Sequence, residues 1–121
     1  MVAINFKMFP DKVAAGTKNQ TIRNAAHKSP GVPLRPGDDL QLYHGMRTKA
    51  CKLLREAVCK SVTQVILMEH TALLWKGLAL TGIGLEEFAQ ADGFACYADM
   101  WAFFKGRANA AGEYHGWLIK W

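Results

Sequence analysis

Nowhere in the 121 residues does an apolar run approach the ~20 residues that a helix needs to cross a bilayer. The opening stretch, Met1-Val2-Ala3-Ile4-Asn5-Phe6-Lys7, lacks the charged-then-apolar layout of a secretory signal. Cysteine is scarce: Cys51, Cys59 and Cys96 are odd in number and form no CxxC pair, which argues against a disulfide framework or a zinc ribbon. They are expected to be reduced thiols in a cytoplasmic protein. His27, His44, His70 and His115 stand at no metal-ligand spacing, so neither a metal site nor a cofactor is expected. There is no internal repeat and no low-complexity tract.

Acidic residues are thin in one half. Through Lys60 the chain carries 11 Lys and Arg against Asp11, Asp38, Asp39 and Glu56, a local charge of +7; the remainder carries 4 cations and 6 anions, or −2. A basic half points to an anionic partner, for which nucleic acid is the commonest chemistry. An ordinary solvated surface is the alternative. Half of the residues are hydrophobic, which fits a globular chain, and the length fits one domain over residues 1–121.

Val2, Ile4 and Phe6 alternate as one face of a first strand. A short helix follows over Phe9–Ala15, with Pro10 at its first position and Gly16 past its end. The segment Lys18–Arg23 reads as a strand, and Asn24–Pro36, with Pro30, Gly31, Pro33 and Pro36, as a long surface loop. Pro36-Gly37-Asp38-Asp39 is a turn into a half-buried strand, Leu40–His44. Met46–Leu54 leans to strand. Val58–Met68 reads as one long strand with Thr71–Leu78 as its antiparallel partner, and Gly82-Ile83-Gly84 ends that hairpin. The hydrophobic period then becomes helical over Leu85–Ala91 and Cys96–Lys105. Tyr114–Trp121 closes the chain as a strand with His115, Trp117, Ile119 and Trp121 on one face. Strands should dominate an α+β fold.

The richest polar stretch is Gly16-Thr17-Lys18-Asn19-Gln20-Thr21-Ile22-Arg23-Asn24. It brings two cations, an amide and a hydroxyl into a small volume, groups that suit a phosphate, a carboxylate or the edge of a base. In an ideal strand Lys18, Gln20 and Ile22 point one way and Asn19, Thr21 and Arg23 the other. Lys18 and Thr21 therefore meet only if the chain bulges or is still turning at Asn19.

The run Gly-x-Lys-x-x-Thr-Ile-Arg after a short helix resembles the signature of ASCH domains, small relatives of the PUA RNA-binding domains. The likeness continues through Pro36-Gly37-Asp38 before Leu40-Gln41-Leu42-Tyr43, Asp92-Gly93-Phe94 before a helix, and the closing Gly116-Trp117-Leu118-Ile119. It spans most of the chain in the right order. The resemblance implies a small PUA-like β-barrel with two or three flanking helices and a cleft for RNA or a modified nucleoside. Some ASCH-like proteins are amidohydrolases that remove the acyl group from N4-acetylcytidine with a Lys and a Thr of this motif and a Glu shortly before the second helix. Lys18 and Thr21 match that pattern; the third position falls near Asp92, an Asp in place of Glu.

Three readings follow. One is an RNA- or modified-nucleoside-binding domain with a basic cleft edged by the Gly16–Arg23 motif and with Arg23, Gln20, Tyr43, Lys49 and Lys52 as its binding residues. Another is an N4-acylcytidine amidohydrolase with Lys18 as base, Thr21 as nucleophile and Asp92 as acid. The last is a non-enzymatic protein-interaction module. Tyr43, Phe94, Trp75 and Trp117 are candidates to stack on a base, and core packing is the alternative for each. A binder implies a broad positive groove, an enzyme a closed pocket with a buried lysine, and an interaction module an exposed apolar patch.

Overall fold

The computed structural model describes residues 2–74 and 77–121. Among these the order is β1 (Val2–Asn5), α1 (Pro10–Ala15), β2 (Gln20–Arg23), β3 (His27–Ser29), β4 (Val32–Pro33), β5 (Asp39–His44), β6 (Lys52–Val58), β7 (Ser61–Met68), β8 (Thr71–Leu74), β9 (Leu78–Leu80), α2 (Gly82–Ala91), α3 (Tyr97–Phe104) and β10 (Tyr114–Lys120). The fold is mixed α+β. One sheet runs β1-β5-β6, a second β2-β10-β7-β8-β9, and β3 pairs with β4 inside the long loop. No helix among the described residues is long and apolar enough to cross a membrane.

The closing strand organises the interior because it is buried on both faces. Tyr114 and Leu118 join Ile22, Val65 and Leu67 beneath Leu85, Phe88, Tyr97, Met100 and Phe104 of α2 and α3. Ile119 and Trp121 point the other way, toward Val2, Ile4, Phe6, Leu40 and Leu42 of the three-stranded sheet and Val13 of α1. Alternation along a strand sends successive side chains to opposite faces, so one strand feeds both cores. Of the four residues expected on one face of β10, Ile119 and Trp121 are buried, Trp117 is half-buried and His115 is exposed.

Several boundaries differ from the sequence expectations, each for a local reason. The long strand Val58–Met68 breaks at Cys59–Lys60, where the chain passes from one sheet to the other. There the Cys59 N–H donates to Asp38 O, Cys59 O accepts from the Gly37 N–H, and the Lys60 N–H donates to Lys120 O, each at 2.8 Å. Met46–Leu54 is strand only from Lys52; turns precede it, with Arg47 in the left-handed region at φ 66°. Gly82-Ile83-Gly84 does not end the hairpin but forms the first turn of α2. Part of the expected strand Thr71–Leu78 lies outside the described residues, and the described parts pair as β7-β8 and β8-β9.

Candidate active site

The site begins where α1 stops. Gly16 takes φ 80°, a conformation open to a residue without Cβ, and its N–H donates to Val13 O. The next two backbone N–H groups, of Thr17 and Lys18, both donate to Lys12 O, at 3.0 and 3.1 Å. The chain is thus still turning at Lys18, and the β2 ladder begins only at Gln20. Lys18 therefore stands outside the strand alternation, and it lines one cavity with Thr21.

The same cavity receives the C-terminal end of α2. Phe9 caps α1 in the left-handed region at φ 59°, and its ring packs edge-on against Phe94 at 5.0 Å. Lys12 Nζ donates to Gly93 O at 2.6 Å. These contacts seat Asp92 beside Lys18, with Lys18 Nζ 3.5 Å from Asp92 Oδ2 and donating to the Asp92 backbone carbonyl. Both residues are only 3% exposed.

Burial dominates the electrostatics. It pulls the Lys18 pKa below the ordinary lysine value; Asp92 opposes the shift, while Arg23 and Lys12 add to it. Burial pushes the Asp92 carboxyl up to about 6 against the pull of Lys18, Gln20 and Arg23. The Gln20 amide helps favour the charged carboxylate, yet Gln20 Nε2 and Asp92 Oδ1 fall short of hydrogen-bond geometry with any described residue. Arg23 donates from Nε to Thr21 Oγ1 at 3.1 Å and from Nη2 to Asn5 O at 2.7 Å, with its Cζ 4.9 Å from the Phe6 ring centroid. The Thr21 hydroxyl accepts from a cation and keeps its own proton available to a base.

The cavity measures about 960 Å³. One wall is polar, formed by Asn5, Lys18, Thr21, Arg23, Asn24 and Asp92; another is apolar, formed by Phe6, Met8, Phe9, Phe94, Phe103 and Phe104. The far end carries Arg107, Asn109, Tyr114 and a Glu113–His115 pair at 3.0 Å. Among the described residues no group of three His, Cys, Asp or Glu side chains is arranged to hold a metal.

Of the residues singled out from sequence, the structure brings Lys18, Thr21, Arg23 and Asp92 together, with Phe94 in the wall. Gln20 is buried behind Asp92 and is not in the wall. Tyr43 stands apart on β5, its hydroxyl donating to Gln41 Oε1 at 3.2 Å. Lys49, on the β5–β6 connection, and Lys52, the first residue of β6, are exposed and do not line the cavity. Trp75 lies outside the described residues. No motif in the sequence marks Arg107, Glu113 or His115; the fold brings them here, His115 on the closing strand that pairs with β2, Glu113 just before it and Arg107 on the turn after α3.

Compared with protein-family models, with curated proteins and with solved structures, the chain returns no match.

Proposed function

We propose that this chain is an ASCH-like amidohydrolase that removes the acyl group from an N4-acylated cytosine nucleoside. The observation that carries the reading is the buried Lys18, its pKa lowered, facing an Asp92 raised to about 6 in one cavity with Thr21. A lysine poised to be neutral is a base, and a carboxyl that holds its proton toward neutral pH is an acid. The PUA-like barrel belongs to the same proposal; two sheets sharing a core and joined at the Cys59–Lys60 corner support it.

In the proposed reaction, neutral Lys18 takes the Thr21 hydroxyl proton as Oγ1 attacks the acyl carbonyl. Arg23 supplies a cation for the negative charge that develops on the carbonyl oxygen. The C–N bond breaks, and the departing amine takes a proton from Asp92. The proton on Lys18 passes to the Asp92 carboxylate. Water then attacks the acyl-threonine ester as neutral Lys18 takes its proton, the ester C–O bond breaks with that proton going to Thr21 Oγ1, and the carboxylic acid leaves with Thr21 and the pair restored.

A binding module without turnover is the second reading. It is favoured by the direct pairing of Lys18 with Asp92, which works against burial and favours the protonated lysine. Hydrolysis of N4-acetylcytidine, followed with Lys18→Arg as control, separates the two. Turnover by the parent and none by the variant supports the enzyme; tight binding without turnover in both supports the module.

A further inference from the structure

A second cavity, of about 540 Å³, opens beside the first. Its floor belongs to the five-stranded sheet. The register sets Trp117 opposite Gln64, His115 opposite Ile66, and Ile66 opposite Leu73, so these side chains share one face. Arg23 lies opposite Trp117 and Thr21 opposite Ile119, which puts the reactive residues on that same face. Asn24 and His115 line both cavities. The two hollows are therefore compartments of one surface with a shared wall.

Distance along the sheet says what part of a ligand reaches that wall. Thr21 registers with Ile119, and His115 lies four residues further along β10, or about 13 Å at ordinary strand rise. The group that reacts at Thr21 does not extend there; what is attached to the nucleoside does. Chemistry narrows the occupant. The second cavity offers the half-buried indole of Trp117 beside Ile66 and Leu73, with Asn24, Gln64 and His115 as its polar groups and no carboxylate among the described residues. Across the shared wall stand the guanidinium groups of Arg23 and Arg107, two cations against the Glu113 carboxylate that pairs with His115 at 3.0 Å. An aromatic platform edged by amides, next to cations, is the surface that holds a stacked base and its phosphate.

We propose that the second cavity takes the nucleobase adjacent to the modified one, so that the preferred substrate is a single-stranded RNA carrying the acylated cytosine and not the free nucleoside. The proposal rests on the reading of the first cavity as a nucleoside site.

Affinity tests it without depending on turnover. A short fluorescent single-stranded RNA with one central N4-acetylcytidine is titrated by anisotropy, and free N4-acetylcytidine by competition. The parent should prefer the RNA by about tenfold or more. Trp117→Ala should erase that preference while leaving nucleoside affinity within about twofold. Because Trp117 also packs against the core between the sheets, Gln64→Glu is the second variant. Gln64 is exposed and registers with Trp117, and its replacement adds an anion to a cavity lined without one. Equal affinity of the parent for both ligands overturns the proposal. So does a preference for RNA that survives both substitutions, or a parallel loss for both ligands. Failure of the parent to hydrolyse either ligand tells against the amidohydrolase alone; failure to bind either overturns both.

Discussion

Lys18 Nζ stands 3.5 Å from Asp92 Oδ2, although the two residues are 74 positions apart in the chain. The left-handed turns at Phe9 and Gly16, and the seating of Gly93 against Phe9, bring them together. Neither charge reaches solvent to any extent. Their attraction offsets only part of the cost of removing both from water, which is why burial leads the causes of each pKa shift. A pair of this kind is poor evidence for stability and good evidence for chemistry.

The stability cost is measurable. Asp92 titrates near 6 in the folded chain and near 3.9 when unfolded, so the folded state holds this proton more tightly. The stabilisation it contributes is present at low pH and is lost as pH rises from about 4 to about 6, by about 3 kcal/mol. Lys18 shifts the opposite way, and the ionised pair is strained at neutral pH. Removing only Lys18 leaves a buried carboxylate alone. Lys18→Met should therefore lose about 3 kcal/mol at pH 8 and far less at pH 5, where Asp92 can protonate. The double variant Lys18→Met, Asp92→Asn should unfold in urea no earlier than the parent. A double variant clearly less stable than the parent would show that the pair is a stabilising bridge.

The same titrations set the pH dependence of turnover. In the proposed mechanism the Lys18–Asp92 pair holds one proton between base and acid. Activity should rise as pH passes about 6, where the doubly protonated pair is lost, and fall where Lys18 loses its proton, below the ordinary lysine range. Asp92→Asn should turn this bell into a single limb governed by Lys18 and lower turnover by about 100-fold. Steady-state rates from pH 4.5 to 10 are the measurement, and a bell that survives Asp92→Asn removes Asp92 from the acid role.

How much of this was legible in the sequence depends on the range of the interaction. Local chemistry in the motif Gly16–Arg23 points to Lys18, Thr21 and Arg23, and a local feature, two N–H groups sharing Lys12 O, accompanies the placing of Lys18 and Thr21 along one cavity. Strand periodicity found β1, β5 and β10, whose inward residues alternate. It missed the Cys59–Lys60 corner because Val58, Cys59, Ser61 and Val62 read as one β run, while the break is imposed by the distant Gly37–Asp38 turn. Tyr43, Lys49 and Lys52 were selected by residue type alone. Sheet order decides their place: β5 lies between β1 and β6, in the sheet that does not contain β2. The far wall, Arg107 to His115, exists only through long-range pairing, which no local pattern reports.

Gly93 ties the two halves of the site together and should tolerate no side chain. It holds φ 106°, and a Cβ there would meet Phe9 Cδ2 at 2.7 Å. Gly93→Ala should cost more than about 1 kcal/mol, because the strained backbone and the displaced Phe9 ring add. It should also lower turnover, since Asp92 is the preceding residue. Urea denaturation and activity on one preparation check this; an alanine variant of parental stability would mean that Phe9 yields freely.

The exposed lysines outside the wall give the complementary test. Lys49→Glu, on the β5–β6 connection, and Lys52→Glu, at the start of β6, reverse charge at residues that do not line the cavity. Turnover of the free nucleoside should stay within about twofold, because neither side chain lines the cavity and exposed charges are weakened by salt. A loss of tenfold or more would bring that connection into the site.

The sharpest prediction concerns the motif itself. Lys18→Arg keeps the charge, the length and the pairing with Asp92, but a guanidinium does not give up its proton near neutrality. If Lys18 is the base, turnover disappears; if it only anchors an anion, ligand affinity and any turnover survive. Thr21 offers an independent cut through the same question. Thr21→Ser keeps the hydroxyl that accepts from Arg23 Nε and should retain part of the activity. Thr21→Val keeps the shape, removes the nucleophile and should retain none. The serine variant should also show the same pH profile as the parent, because the groups that set it are untouched. Measured together on N4-acetylcytidine, loss in Lys18→Arg and Thr21→Val with survival in Thr21→Ser is the pattern of a threonine activated by a lysine. Survival of hydrolysis in Thr21→Val would instead assign the attack to water, with Lys18 still the base if Lys18→Arg is dead.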